Sequence, residues 1–281
     1  MTGSSRCSEL LAAILLVVFA VLPLKADAQW VAWNLPQYQE TVRTATVALG
    51  NSFARDTYLS ASRYEGPTLG FVTDNWVGYR PYRLFEYGRN HSSLFFSSMT
   101  NRLNGGSTLQ LAGSERFALL HPLVSCGQCD LLAGPVAMFE LGVLYNQQNS
   151  NNPVNVEGYL AAGFCIENTF RFILFNHDLA LQATTYLPLA GVGFAPDYDL
   201  PYWLMYQYSE YNKALHFVWP FNNQAISEQI SLIVPVHSKR LSIGYCFDYM
   251  GNYLGGHSRS IGNGVFTIGY SVRFQSKVWG R

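Results

Sequence analysis

Along residues 136–146, VAMFELGVLYN, apolar side chains recur at every second position. One face carries Ala137, Phe139, Leu141, Val143 and Tyr145, and the other includes Glu140, Gly142 and Asn146. A polar stretch, 147–152, is closed by Pro153 and leads into a second run, 154–166. There Val154, Val156, Leu160, Phe164 and Ile166 share one face, and Asn155, Glu157, Tyr159, Gly163 and Cys165 the other. Successive strand residues point to opposite sides of a sheet. Two such runs joined by turn-forming residues therefore predict a hairpin with one apolar face. The period returns in 241–249 and in 265–274. Further candidate strands cover 44–53, 68–76, 92–103, 107–119, 170–176, 179–187, 202–209, 214–221 and 228–236, with Asn104-Gly105-Gly106 as a tight-turn signal. Helical periodicity is hard to find after residue 28. The reading is all-β, with about 12 strands (roughly 10 to 14), lying between about residue 42 and residue 274.

Two architectures share this alternation. A soluble sandwich or barrel turns its apolar face inward, whereas an outer-membrane barrel turns it toward lipid and lines its interior with polar and small residues. The faces opposite the apolar ones are rich in Gly, Ala, Ser and Thr and poor in Lys and Glu, and Tyr, Phe and Trp sit near the run ends. Runs of about nine to eleven residues match what a tilted strand needs to cross a bilayer. These features favour a single antiparallel up-and-down transmembrane β-barrel. A soluble periplasmic β-barrel binding an apolar ligand is the alternative.

The first residues add an address. Arg6 precedes an apolar run from Leu10 to Leu24, followed by Lys25 and Ala26-Asp27-Ala28. A basic start, a short apolar stretch interrupted by Pro23 and small residues at Ala26 and Ala28 describe a signal peptide cut before Gln29. Cys7 precedes the apolar run, so a lipoprotein is disfavoured. The expected division is a signal peptide at 1–28 and one barrel domain at 29–281. This predicts export and residence in the outer membrane, or in the periplasm on the alternative reading. Membrane lipid and the outer-membrane insertion machinery are then the expected partners, with a small-molecule ligand left unspecified. Phe274 is the aromatic end of the last strand, although residues 275–281 follow it.

The 281 residues carry 18 Lys+Arg and 18 Asp+Glu, with 15% aromatic and only 13% charged. Zero net charge argues against nucleic acid, and the aromatic content argues against disorder.

After the first strand the chain reads Asp56-Thr57-Tyr58-Leu59-Ser60, continuing to Tyr64 and Gly66. This resembles the D-T-Y-L-S … Y-x-G signature of domain-of-unknown-function family 3316. The resemblance runs from about Glu40 to the C-terminus and implies an exported bacterial membrane barrel. It implies no activity. Read physically, Asp56 and Thr57 suit a loop in which side-chain oxygens accept from backbone N–H groups. Tyr58 and Tyr64 would cover its apolar underside, and Gly66 would permit the bend into the next strand. A ligand-contacting loop at the barrel mouth is the functional alternative.

Glu140, Glu157, Glu167, Asp248 and Arg273 fall on inferred inner faces and are the lumen or ligand candidates. Both signs inside a barrel of this size suggest an ion-paired plug, not a catalytic carboxylate pair. Cys126 and Cys129 are spaced for a loop disulfide or for two free thiols. Neither a helix nor further paired ligands support redox chemistry or zinc there. A lipid-modifying enzyme would need a Ser/His pair, but Asn90-His91-Ser92 and His257-Ser258 place the two residues on opposite strand faces. No catalytic residue, metal or cofactor is assigned, and a non-enzymatic structural, binding or narrow-channel role is expected.

Overall fold

The computed structural model describes residues 39–79, 84–149, 153–174, 177–197, 202–236 and 239–275. The signal-peptide segment, 1–28, lies outside the described residues.

The strands are β1 (Glu40–Asp56), β2 (Ser60–Gly78), β3 (Tyr87–Thr100), β4 (Ser107–Ser125), β5 (Cys129–Asn146), β6 (Val154–Leu174), β7 (His177–Phe194), β8 (Leu215–Val218), β9 (Asn223–Val236), β10 (Lys239–Leu254) and β11 (His257–Gln275). Each barrel strand pairs antiparallel with its neighbour in sequence, and β1 pairs with β11 from Glu40↔Gln275 to Asp56↔Arg259. The result is a closed barrel of 10 strands, with β8 as an additional short one. Closure leaves neither β1 nor β11 as a free sheet edge.

The outer face follows the predicted alternation. Phe139, Phe164, Phe247 and Tyr270 are 49%, 52%, 38% and 42% exposed, and Leu49, Phe71, Phe96 and Ile268 stand outward with them. Burying these side chains inside is the defining feature of the soluble alternative, and the structure does the opposite. Glu115 and Glu228 interrupt the belt, and Glu228 Oε2 accepts a hydrogen bond from Thr185 Oγ1 at 2.5 Å.

Four expectations are corrected. The expected runs at 154–166 and from 170 onward form one strand, β6, as far as Leu174, because Glu167 and Thr169 point inward and carry the alternation across the polar gap. Residues 202–209 form a short helix, α1 (Tyr202–Tyr208), followed by a 3-10 turn at Tyr211–Ala214. An aromatic-rich segment satisfies a helical period as readily as a strand period. Here Tyr202 and Met205, one turn apart, face the protein while Trp203 and Tyr206 are exposed. Of 214–221 only β8 pairs. The runs are also longer than expected, 14 to 21 residues for the barrel strands. A 19-residue strand such as β2, at ~3.4 Å per residue and ~40° tilt, stands ~50 Å tall against a hydrocarbon core of ~25–30 Å. The wall is therefore taller than such a hydrocarbon core is thick.

The two rims differ. One carries the turns at 57–59, 101–106 and 255–256, the 147–153 connection, and the long 195–222 connection that includes α1 and β8. We call it the loop rim. Gly105, in the turn signalled by Asn-Gly-Gly, has φ 68°, a conformation glycine adopts without strain. The other rim holds the short 126–128 turn and both ends of the barrel, residues 40 and 275.

One stretch of wall is incomplete. β6 pairs along one edge of β7, from Leu174↔His177 to Gly158↔Phe194. On the other edge β9 pairs with β7 only from Ala180↔Ile233 to Tyr186↔Ser227, and β8 only at Gly191–Phe194. Between them, residues 187–190 of β7 have no ladder partner on that side. Residues 223–226 of β9 pair with β10 alone. Pro188 lacks an N–H to offer, and a register shift falls here between Ala162 and Gly163 on β6.

Candidate functional site

Inward residues stack three polar layers across the barrel. Nearest the terminal rim of the three, Arg89 on β3 donates from Nε and Nη2 to Asp74 Oδ1 (3.1 and 2.8 Å), and from Nη1 to Glu167 Oε2 and Thr184 Oγ1 (both 2.5 Å). Its Nη2 also donates to Gln229 Oε1 at 3.0 Å, and His91 Nδ1 lies 3.0 Å from Asp74 Oδ1. One guanidinium thus ties β2, β6, β7 and β9 together.

In the middle layer Arg116 donates from Nη2 to Glu140 Oε1 (2.9 Å) and Asp248 Oδ1 (3.0 Å), and from Nη1 to Ser227 Oγ (2.6 Å). The buried ring of Tyr186 lies between the two layers, with the guanidinium carbons of Arg116 and Arg89 5.2 and 5.7 Å from its centroid. Toward the loop rim, Arg259 Nη1 is 2.6 Å from Glu157 Oε2, and His257 Nε2 is 3.3 Å from Glu157 Oε1. Asn155 Nδ2 joins this layer by donating to Asp56 Oδ2 (2.6 Å) and Glu157 Oε1 (3.1 Å). Each layer sets one guanidinium against two carboxylates, so burial of charge is offset by pairing in all three.

The sequence candidates therefore divide among separate places. Glu167 is in the first layer, Glu140 and Asp248 share the second, and Glu157 lies in the third. Arg273 pairs with Glu40 at 3.3 Å near the terminal rim, apart from all of them. The layers depend on Arg89, Arg116, Arg259, Asp74 and His257, which residue-by-residue reading did not select. Their signal was parity alone: each occupies an inward position on its strand. His91 is buried while Ser92 stands on the opposite face, as adjacency on a strand requires.

The loop motif seals the third layer. Asp56 Oδ1 accepts from Tyr58 N–H at 3.0 Å, the bond expected of such a turn. Thr57 instead bonds to the neighbouring β11: its Oγ1 accepts from Ser258 N–H (2.9 Å) and its N–H donates to Ser258 O (3.0 Å). Tyr58, Leu59 and Tyr64 are buried with Met99, Leu144 and Ile261 under the rim. Ser60 Oγ accepts from the Tyr64 hydroxyl at 3.3 Å, which in turn accepts from Asn146 Nδ2 at 3.2 Å. Gly66 makes no bend. It lies within β2, where a Cβ would come 2.1 Å from Ser98 O on β3, so close strand approach excludes any side chain there.

α1 completes the lid. The Tyr202 hydroxyl accepts from Val156 N–H at 2.6 Å and donates to Asn155 Oδ1 at 2.8 Å, and its ring packs edge-on to Tyr58 with centroids 6.3 Å apart. Burial pushes this phenol well above its ordinary pKa, so it stays a donor through neutral and alkaline pH. Tyr202→Phe is expected to cost ~1 kcal/mol by leaving a half-buried N–H without its partner. Faster tryptic cutting after exposed Lys213 would report the loosened lid, and an unchanged rate would show that α1 is held by other contacts.

Asp56, Glu157 and His257 each bring a ligand-type atom within 4.8 Å of the others, a grouping a cation could use. Arg259 already supplies the positive charge there, and both Asp56 oxygens accept hydrogen bonds. The cluster works as a structural ion-pair layer.

Cys126 and Cys129 close a tight turn through mutual backbone bonds (2.8 and 3.2 Å), yet both are free thiols. Cys129 Sγ is directed to Asn168 Oδ1 on β6, 3.4 Å away. Cys165 and Cys246 are buried inside the barrel, also free.

The model of a family described as "Protein of unknown function (DUF3316)" matches residues 11–277. The chain belongs to that family. No curated protein matches it significantly. Among solved structures it resembles the outer membrane protease OmpT from Escherichia coli, with 8% identity, TM-score 0.50, and coverage of 84% of this chain and 96% of that one. The translocator domain of the autotransporter NalP from Neisseria meningitidis also matches, with 8% identity, TM-score 0.36 and coverage of 96% and 97%. Identity this low speaks to fold alone. For this DUF3316 chain, the fold is that of an outer-membrane barrel.

Proposed function

We propose that this chain is exported, inserted into the outer membrane and held there as a barrel with a closed lumen, serving a binding or scaffolding role without enzymatic chemistry of its own. The observation that carries the reading is the inversion of polarity: large apolar side chains stand outward while three ion-pair layers fill the interior. In water such an outer face would be an aggregation surface, whereas against hydrocarbon it is the stable arrangement. Outer-membrane barrels keep short turns on the periplasmic side and longer connections outside, so the loop rim would face away from the cell. Insertion would depend on the membrane's assembly machinery, with β11 as the closing strand. A barrel of this strand number filled by paired side chains leaves no wide aqueous path. The protease activity named for OmpT belongs to that protein, since a fold alone carries no chemistry.

Cell fractionation followed by electrophoresis with and without heating tests the reading. The protein is expected in the outer membrane, with faster migration unheated. Recovery as a soluble periplasmic species would overturn it. Reconstituted in planar bilayers, the folded barrel is expected to show no steady ion conductance, and stable open-channel currents would refute the closed lumen.

A further inference from the structure

The lumen between the second and third layers is not completely filled. A cavity of about 80 Å³ remains, lined by Arg116 on one side and Arg259 on the other, and reaching Pro188 and Ile226 at the unpaired stretch of wall between β7 and β9. One water needs only ~10–15 Å³ by this measure, so the space is several times that. Six buried residues on its lining hold polar atoms without hydrogen-bond partners: the acceptors Gln110 Oε1, Asn223 Oδ1 and Asn252 Oδ1, and the donors Arg116 Nε, Arg259 Nε and the Tyr186 hydroxyl. Each of the six residues is at most 9% exposed. Unpartnered polar atoms at that depth are costly, and these six belong to residues that line one space.

Their chemistry selects a ligand. Donors and acceptors are mixed, and the guanidiniums of Arg116 and Arg259 are already outnumbered two to one by carboxylates in their own layers. A further anion is not favoured there, and a lone cation would leave the unpartnered donors unserved. Hydroxyl groups both donate and accept, so they suit the whole set. The way in is lateral. At the interruption the wall has no ladder hydrogen bonds, and its outer surface carries the exposed apolar residues Leu189, Val192, Phe217 and Trp219. The lid of Tyr58 and Tyr202 closes the axial route from the loop rim.

We propose that the chamber is a binding site for the head of a neutral, hydroxyl-headed, single-chain amphiphile, which enters from the membrane between β7 and β9 and leaves its chain on the outer wall. The proposal rests on the membrane reading above, and it adds a ligand class and a route.

The test uses the full-length processed protein in phospholipid nanodiscs, with radiolabelled 1-monododecanoylglycerol as probe and dodecanoate and dodecyltrimethylammonium as charged controls. Saturable binding of the glycerol ester near one per barrel, at least tenfold tighter than either control, is expected. Ala225→Trp, which adds bulk to the chamber lining, should weaken it at least tenfold. Because that variant can fail to fold, a second one leaves the interior intact. Leu189→Cys in a Cys126→Ser, Cys129→Ser background, labelled on the outer wall with pyrenyl maleimide, should slow probe entry at least tenfold relative to the unlabelled protein. Heat-modifiable migration is measured on every sample. A heat-modifiable barrel that binds none of the three probes beyond empty nanodiscs, or that prefers a charged one, overturns the site, and equal entry rates with and without the label overturn the route. Failure of the unmodified protein to form a heat-modifiable membrane barrel would instead refute the reading on which both rest.

Discussion

Arg89→Ala is expected to remove a large part of the barrel's stability. The side chain is 2% exposed and ion-paired to Asp74 and Glu167, with further bonds to Thr184 and Gln229 on two other strands. Truncation removes the guanidinium that pairs both Asp74 and Glu167 and leaves two buried carboxylates without it. Breaking a buried pair in this way costs ~3–5 kcal/mol, because a charge stripped of its partner is retained in a poorly solvated interior. That is a large fraction of the stability of an ordinary domain. The measurement is the urea midpoint of the heat-modifiable band after refolding into lipid vesicles. Arg55→Ala, an exposed arginine of β1, serves as the control and should shift it little. The mechanism also predicts rescue. The triple variant Arg89→Met, Asp74→Asn, Glu167→Gln removes charge from all three partners while keeping their approximate volumes, and it should recover most of the lost stability. A triple variant no better than Arg89→Ala would mean that the layer acts through shape, not charge.

Leu160→Arg should be nearly as damaging, and only in a membrane. Leu160 is 62% exposed on the outer face of β6, paired with Phe139 across β5 and flanked along its own strand by Ala162 and Phe164. A guanidinium placed at mid-depth on a lipid-facing wall costs ~2–4 kcal/mol. At a water-facing position the same change would stay within about 0.5 kcal/mol. The two environments thus predict effects several-fold apart for one substitution. The comparison is the urea midpoint in phospholipid vesicles for Leu160→Arg against Arg63→Ala, whose side chain lies outward near the loop rim in an exposed pair with Glu65. A negligible effect at Leu160 would place that face in water and remove the basis for the outer-membrane proposal.

Much of the architecture was legible from alternation. Strand residues face opposite sides by geometry alone, so the parity of Phe139, Phe164, Phe247 and Tyr270 against Glu140, Glu157, Glu167 and Asp248 sorted outside from inside without any knowledge of the pairing. The Asp56 turn was legible as well, since its decisive bond to Tyr58 spans two residues. Local geometry of that kind is written into adjacent letters. The short helix at Tyr202–Tyr208 was not, because a run of aromatics fits both periods and its choice is made by what Tyr202 and Met205 can pack against.

What tertiary structure decided is the combination. That Arg89 meets Glu167, or that Arg116 meets Asp248, depends on how the sheet closes on itself, which brings residues 78 and 132 positions apart to one axis. Likewise the gap beside Pro188 exists only because β8 and β9 divide one edge of β7 between them. The amino-acid order sets, position by position, which side chains seek lipid and which avoid it, because that preference is a property of each residue and its parity. Which of the avoiding groups find one another, and which are left open toward a ligand, is a property of closure and register. No short window of sequence contains either.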